Sequence, residues 1–209
     1  MKRPVVHVVD DDASFLRSVT RLLRASGYEV APFSSVEEFL QHRDPEAAGC
    51  VVTDLQMPRR SGLDLQDALA GSGKTLPVVF LTAKGDIPTT VRAMRAGAED
   101  FLTKRAPKAR LFAAIDRALQ RQQREAVERQ HAAASRRNLE TLTERELQVL
   151  AGILRGLLNK QIADELGIAE RTVKHHRTTL TQKLGVQSAA ELALLVRDAG
   201  VDPSTWTAP

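Results

Sequence analysis

The chain has 209 residues, of which 43% are hydrophobic and 4% aromatic, and this length indicates one large domain or two small ones. Its apolar runs are all much shorter than the ~20 residues that span a bilayer, and its first residues enter a strand without the apolar segment of a signal peptide. The single cysteine, Cys50, excludes an internal disulfide and is expected to be a small buried hydrophobic residue. We therefore expect a cytoplasmic protein that does not bind membranes.

The net charge of +4 is distributed unevenly along the chain. Lys and Arg number 14 against 14 Asp and Glu in residues 1–107, 8 against 3 in residues 108–137, and 8 against 9 in residues 138–209. A basic connector thus joins two nearly neutral ends, so the net charge alone does not indicate nucleic-acid binding.

The first half of the chain alternates apolar runs with helical periodicities. The predicted strands are residues 5–9, 28–33, 50–54, 77–82 and 100–103. The predicted helices between them are residues 14–26, 36–43, 62–70 and 89–96. This alternation predicts an α/β fold, a doubly wound five-stranded parallel sheet of order 2-1-3-4-5 with helices on both faces.

The second half of the chain is predicted to be all α. A long helix begins at Lys108 and continues to about residue 137, because this stretch contains neither Gly nor Pro. Thr143 and Glu146 then form a capping box that starts the first of four short helices. The other three helices are predicted over residues 159–166, within 168–184, and from Ser188 onward.

Polar residues follow the predicted strands at the edge of the sheet where ligands bind in such folds. Asp10 and Asp11 end the first strand, Asp54 the third, Thr82 the fourth, and Lys104 follows the fifth. Three carboxylates held together repel one another, and a hard cation such as Mg²⁺ relieves that repulsion. With a hydroxyl and an ammonium nearby, the set predicts phosphoryl transfer to a carboxylate.

Each of these residues taken alone has a simpler interpretation. Asp54 resembles a turn residue, Thr82 a strand cap and Lys104 a solvated lysine, while Asp12 is expected to be a helix N-terminal acid. The predicted strand order brings all four strand ends to one edge of the sheet, which favours a single site formed by these residues together.

The third short helix, within residues 168–184, has two different faces. Val173, His176, Leu180 and Leu184 share one face and are expected to be buried. The opposite face is polar and basic, and consists of Arg171, Lys174, His175, Thr178 and Gln182. Residues 171–183 contain four cations and no acid, which favours a helix that enters a DNA groove over a merely solvated surface.

Residues 4 to about 120 resemble a response-regulator receiver domain. The matching motifs are Val9-Asp10-Asp11, Asp54-Leu55-Gln56-Met57-Pro58 with Ser61-Gly62, Thr82-Ala83, and Phe101-Leu102-Thr103-Lys104. The resemblance implies that a sensor histidine kinase phosphorylates Asp54, and that Thr82 and Lys104 bind the phosphoryl oxygens. It implies that Mg²⁺ is held by Asp10, Asp11, Asp54 and the Gln56 carbonyl. It also implies that Phe101 swings inward as Thr82 moves.

The sequence departs from the receiver pattern directly after Lys104. The family usually has a proline there, joined by a cis bond, whereas this chain has Arg105 and Ala106 before Pro107. Because a non-proline cis bond costs about 2.5–4 kcal/mol, we expect a trans bond, which could displace Lys104.

The four-helix segment of residues 142–200 resembles the LuxR-type helix-turn-helix. The matching stretches are Leu142-Thr143-Glu144-Arg145-Glu146, Asn159-Lys160-Gln161-Ile162-Ala163 and Thr172-Val173-Lys174-His175-His176. The resemblance implies that Lys174, His175 and Thr178 face DNA bases. The phosphate contacts that it implies are Lys160, Thr172, Arg177 and Lys183.

Together the two halves resemble the NarL/FixJ family of two-component response regulators. The resemblance implies a transcription factor that is not an enzyme in the usual sense, switched by phosphorylation, and homodimeric on double-stranded DNA when phosphorylated. The implied organisation is a receiver at 1–120, a helical linker at 121–138, the DNA-binding domain at 139–200 and a tail at 201–209.

Two rival functions remain open on the sequence. One is a constitutive DNA-binding regulator with an atypical, phosphorylation-independent receiver, for which Arg105 is the support. The other is a phosphate relay whose C-terminal helices bind protein, which the basic helix face argues against.

Overall fold

The structure, a computed structural model, describes residues 3–44, 47–71, 76–83 and 85–206 of the chain. It contains two compact units, Met1–Glu125 and Ala126–Pro209, and the division falls inside one long helix, α5 (Lys108–Glu140). None of the helices in the described ranges is both long and apolar enough to cross a bilayer.

The first unit is built on a five-stranded parallel sheet in the order β2-β1-β3-β4-β5, which confirms the predicted topology. The strands are β1 (Val5–Val9), β2 (Glu29–Phe33), β3 (Gly49–Thr53), β4 (Val78–Thr82) and β5 (Asp100–Thr103). The predicted third strand was one residue too long at its end, because Asp54 lies just outside the ladder.

Helices cover both faces of this sheet. The helices between the strands are α1 (Ala13–Ala25), α2 (Val36–His42), α3 (Gly62–Ala70) and α4 (Ile87–Arg95). Successive strand residues point to opposite faces. Val8 therefore joins a first core cluster with residues of α1 and α5, whereas Val51 joins a second cluster with residues of α2 and α3. Cys50 is fully buried in the first cluster, and burial raises the pKa of its thiol to about 12.

Two helix starts differ from the prediction because aspartates cap them. Asp12 accepts hydrogen bonds from the backbone nitrogens of Ser14 and Phe15, so it is a helix N-terminal acid as expected, and α1 begins at Ala13. Asp86 caps α4. A proline lies in the first turn of this helix, where the missing N–H costs nothing. The predicted start of α4 at residue 89 was therefore two residues late.

The second unit is a small helical domain around one hydrophobic core. Beyond α5 its helices are α6 (Glu144–Leu154), α7 (Asn159–Leu166), α8 (Glu170–Leu184) and α9 (Ala189–Ala199). The predicted capping box of Thr143 and Glu146 is present. Gly167 makes the tight turn between α7 and α8 with a φ of +64°, a value that glycine adopts readily. A 3₁₀ helix, Pro203–Trp206, follows α9, and Trp206 packs on the core; residues 207–209 lie outside the described range.

Candidate functional site

Three aspartates meet at the carboxyl edge of the sheet. The register of β1 and β3 pairs Val9 with Thr53, so the residues that follow these strands, Asp10 and Asp54, emerge side by side. Together with Asp11 they offer oxygen atoms that all lie within 4.8 Å of one another. Asp10 and Asp54 are buried and Asp11 is exposed, so the cluster opens toward solvent on one side.

The carboxylate of Asp54 is oriented by its own loop. The backbone nitrogens of Leu55 and Gln56 donate to Oδ1 of Asp54 at 2.6 and 3.3 Å. A Cβ atom on Gly62 would lie 2.3 Å from the carbonyl oxygen of Asp54, so only glycine allows α3 to start this close. The other carboxylate oxygen, Oδ2, faces Lys104.

Lys104 supplies the positive charge of the site. Its Nζ atom lies 2.6 Å from Oδ2 of Asp10 and 2.7 Å from Oδ2 of Asp54. Burial alone would lower the pKa of Lys104, but the hydrogen bonds to the two carboxylates outweigh burial and raise it. Within the described residues every peptide bond is trans, as expected after Lys104, yet the ammonium still reaches both acids. Arg105 therefore does not displace Lys104 from the site.

The aspartate cluster suits a hard divalent cation. Burial raises the pKa of Asp10, against the lowering effect of its hydrogen bonds from Lys104 and from the backbone of Asp12. Two buried carboxylates and an exposed one, each with an oxygen in mutual reach, form the oxygen-only donor set that Mg²⁺ prefers. The predicted fourth ligand is the carbonyl of Gln56, an exposed residue whose backbone nitrogen donates to Oδ1 of Asp54.

Thr82 ends β4, and Phe101 lies within the neighbouring strand β5, where it pairs with Phe80. Thr82 is the last residue of β4 and is 1% exposed, and its carbonyl oxygen accepts a hydrogen bond from the backbone nitrogen of Lys104. The half-buried ring of Phe101 packs 5.7 Å from that of Phe80. It also covers Gly85, where an added Cβ would meet Phe101 Cε1 at 2.7 Å.

In the second unit, α8 presents the polar face that the sequence predicts. Val173, Leu180 and Leu184 are buried, and His176 is half-buried. Exposed side chains on the other side are Arg171, Lys174, His175, Thr178 and Gln182. Lys160 on α7 is exposed as well, whereas Thr172 is half-buried.

Two of the predicted phosphate contacts have partners within this unit. Arg177 donates from Nη1 to Oδ1 of Asn159 at 3.0 Å. The Nζ atom of Lys183 lies 2.7 Å from Oε2 of Glu146 and 3.2 Å from the carbonyl oxygen of Thr141. Burial would raise the pKa of Glu146, but its bonds with Lys183 and Thr143 lower it.

The sequence did not reveal these partners. Asn159 and Glu146 were assigned only to motifs, and nothing local in the sequence marks their contacts with α8. The same holds for Phe15, whose ring centroid lies 4.3 Å from Nζ of Lys104. The one available signal was an aromatic residue in the first turn after the Asp10–Asp12 run.

Known proteins are similar to this chain over nearly its whole length. Residues 6–116 match the family model of the response regulator receiver domain, and residues 140–196 match that of bacterial regulatory proteins of the luxR family. Nodulation protein W of Bradyrhizobium diazoefficiens is 42% identical over 95% of this chain and 88% of its own length. Transcriptional regulatory protein FixJ of Azorhizobium caulinodans is 37% identical over 98% of this chain and 97% of its own length. Among solved structures, response regulator StyR matches with a TM-score of 0.83 and 47% identity, covering 94% of this chain and 99% of that one.

Proposed function

The chain belongs to the NarL/FixJ family of two-component response regulators, and we propose that phosphorylation of Asp54 controls its binding to double-stranded DNA. The observation that carries this proposal is the contact of Lys104 with both Asp10 and Asp54, beside a cluster of three carboxylates. The domain boundaries at 120, 138 and 200 stay predictions.

We assign the nucleophile to Oδ2 of Asp54, because Oδ1 is held by two backbone N–H groups. Oδ2 attacks the phosphorus of a phosphohistidine or a small acyl phosphate, the bond from phosphorus to the donor breaks, and the donor leaves with the electron pair. Asp10, Asp11, Asp54 and the Gln56 carbonyl would hold Mg²⁺, which neutralises charge on the transferring group when it is bound.

Lys104 and Thr82 bind the transferred group in this proposal. The Lys104 ammonium moves its contact from Oδ2 of Asp54 to a phosphoryl oxygen, since Oδ2 loses its charge when it bonds to phosphorus in the acyl phosphate. The Thr82 hydroxyl donates to another phosphoryl oxygen, and Phe101 turns inward as Thr82 moves. The phosphoryl group adds roughly −1.5 to −2 charge, which is enough to favour one of two loop arrangements.

In the DNA-binding half, α8 is the helix that we assign to the major groove. Lys174, His175 and Thr178 are exposed on its outer face and would contact bases. Lys160, Thr172 and Arg177 would contact phosphates, which position the domain more than they specify the sequence. Lys183 holds Glu146, so its contribution to DNA binding is to position α8, with any phosphate contact secondary.

The phosphorylated protein is proposed to act as a homodimer on two half-sites. A two-fold axis places one α8 helix in each half-site, with centres one or more turns of DNA apart. The partners implied are a sensor histidine kinase and chromosomal DNA, and both meet the chain in the cytoplasm.

Phosphorylation of the purified protein tests the acceptor assignment. Wild type incubated with acetyl phosphate and Mg²⁺ should gain the mass of one phosphoryl group, and Asp54→Asn should gain none. A phosphorylated Asp54→Asn variant would show that the acceptor is another residue.

The alternative, a constitutive regulator with an unresponsive receiver, was supported by Arg105. That support weakens because Lys104 reaches both carboxylates with Arg105 in place. Beryllofluoride, which mimics the phosphoryl group, should increase both dimer formation and DNA affinity. If it changes neither, the constitutive alternative holds.

A further inference from the structure

The ring of Phe15 is a third neighbour of the Lys104 ammonium, beside the carboxylates of Asp10 and Asp54. The ring centroid of Phe15 lies 4.3 Å from Nζ of Lys104, while Asp10 and Asp54 lie 2.6 and 2.7 Å from the same atom. A cation within about 6 Å of an aromatic face is attracted to it, more strongly where water is excluded. The Lys104 side chain is only 14% exposed, so the contact is largely shielded from water.

Phe15 is also held by contacts other than the one with Lys104. Its backbone nitrogen donates to Oδ1 of Asp12, which fixes the residue in the first turn of α1. The side chain is half-buried against the first core cluster. Phe15 is therefore a fixed surface against which a flexible lysine side chain can rest.

Lys104 needs such a support because its backbone is less restrained than a proline would make it. Arg105 does not fix its own φ angle as proline does. The backbone here is held by two hydrogen bonds, from the nitrogen of Lys104 to the carbonyl of Thr82 and from that of Ala106 to the carbonyl of Thr103. Neither bond orients the four-carbon side chain.

We propose that Phe15 is a positioning residue for phosphoryl transfer, one that holds the Lys104 ammonium at the acceptor site before and after Asp54 is phosphorylated. The proposal rests on the proposed function of Asp54. With acetyl phosphate, Oδ2 of Asp54 bonds to phosphorus, the bond from phosphorus to the acetate oxygen breaks, and acetate leaves with the electron pair. Lys104 then loses one charged partner and gains another, while its contacts with Asp10 and Phe15 persist.

Conservative variants separate this role from simple packing. Phe15→Leu keeps an apolar side chain on the core but removes the aromatic face, and Phe15→Tyr restores that face. Phe112→Leu is the matched control, because Phe112 is also half-buried against the first core cluster and its ring packs against that of Tyr28.

The rate of phosphorylation by acetyl phosphate with Mg²⁺ is the first measurement. Phe15→Leu should slow it about threefold to tenfold, and Phe15→Tyr should return it to within about twofold of wild type. Phe112→Leu should phosphorylate at the wild-type rate even if its melting temperature falls as much as that of Phe15→Leu. An unchanged rate in Phe15→Leu, an equal loss in Phe112→Leu, or no rescue by Tyr would overturn the proposal.

A second measurement does not depend on phosphorylation. Reductive methylation of Lys104, followed by peptide mass spectrometry without Mg²⁺, reports how firmly the ammonium is held. Phe15→Leu should raise its modification rate, and Phe15→Tyr and Phe112→Leu should not. If wild type is never phosphorylated, the proposed function fails, yet this rate still decides whether Phe15 holds Lys104.

Discussion

The Nζ atom of Lys104 lies 2.7 Å from Oδ2 of Asp54, although the residue after Lys104 is Arg105. The same ammonium contacts Oδ2 of Asp10 at 2.6 Å. Side-chain contacts thus place the lysine between the two buried acids where proline is missing. This ammonium offsets part of the negative charge of the three aspartates in the absence of a metal ion.

Lys104→Met keeps most of the aliphatic side chain and removes this charge. We expect phosphorylation by acetyl phosphate to slow by tenfold or more, because the developing charge loses a fixed cation. Mg²⁺ should bind more tightly than to wild type, since no ammonium competes for the carboxylates. Calorimetric titration with Mg²⁺ measures this effect, and the exposed Lys108→Met is the control. Weaker Mg²⁺ binding in Lys104→Met would contradict the assigned ligand set.

Gly62→Ala tests the close packing behind Asp54. The new Cβ would meet the Asp54 carbonyl oxygen at 2.3 Å, so the loop must shift. We expect a loss of about 1–3 kcal/mol in the free energy of unfolding, together with slower phosphorylation. Gly71→Ala is the control, because its Cβ would lie 3.8 Å from the nearest described atom and its φ is −71°. Denaturant unfolding of both variants should separate them, and equal stabilities would rule out the clash.

The buried environment of His7 leads us to expect that the stability of the protein depends on pH. It is 3% exposed, packs against Phe33 and Phe39, and has no hydrogen-bond partner for either ring nitrogen within the described part of the chain. Burial first, and the charge of Arg43 second, lower its pKa from 6.5 to about 4. Because the unfolded chain binds this proton at higher pH, stability falls as the pH drops from about 6.5 to about 4, by up to about 3 kcal/mol.

Unfolding of His7→Val across this pH range measures how much of the acid loss of stability comes from His7. The variant should show a smaller loss toward acid, since Val needs no hydrogen bond and carries no proton. The exposed His131→Gln keeps His7 and should retain the full loss. If wild type and His7→Val lose the same stability toward acid, His7 does not titrate as described.

Lys183 and Lys174 lie on the same helix but should affect different properties. Lys183→Met leaves the buried carboxylate of Glu146 without its cation, and should destabilise the second unit by about 1–3 kcal/mol. Lys174 pairs with exposed Glu170, so Lys174→Met should change stability by less than about 0.5 kcal/mol.

DNA titrations at several salt concentrations complete this comparison. Lys174→Met should weaken binding and either reduce the salt slope or alter base preference, because Lys174 faces the groove. Lys183→Met should leave the salt slope unchanged. A slope lowered by about one in Lys183→Met would make that lysine a phosphate contact.

The features of the fold that depend on local sequence patterns could be predicted. The order of the strands and the meeting of Asp10 with Asp54 followed from apolar runs and from the rules of parallel sheets. The Thr143–Glu146 capping box was visible because its partners are three residues apart. Asp86 carried a comparable signal for the start of α4, which was overlooked in favour of the apolar periodicity after it.

Contacts between distant residues could not be predicted in the same way. Lys183 meets Glu146 across 37 residues, and its position on α8 gives no sign of that contact. The ring of Phe15 meets Lys104 from another element, and its place in the apolar periodicity of α1 gives no sign of that contact. Such contacts depend on how helices pack, which no local spacing encodes.

Genome-wide footprinting of the purified protein on its own genomic DNA, with and without acetyl phosphate and Mg²⁺, tests the central claim most directly. Wild type should occupy a defined set of sites far more strongly after phosphorylation, and Asp54→Asn should show no such gain. Equal occupancy of the same sites by both proteins, with or without acetyl phosphate, would contradict control of DNA binding through Asp54.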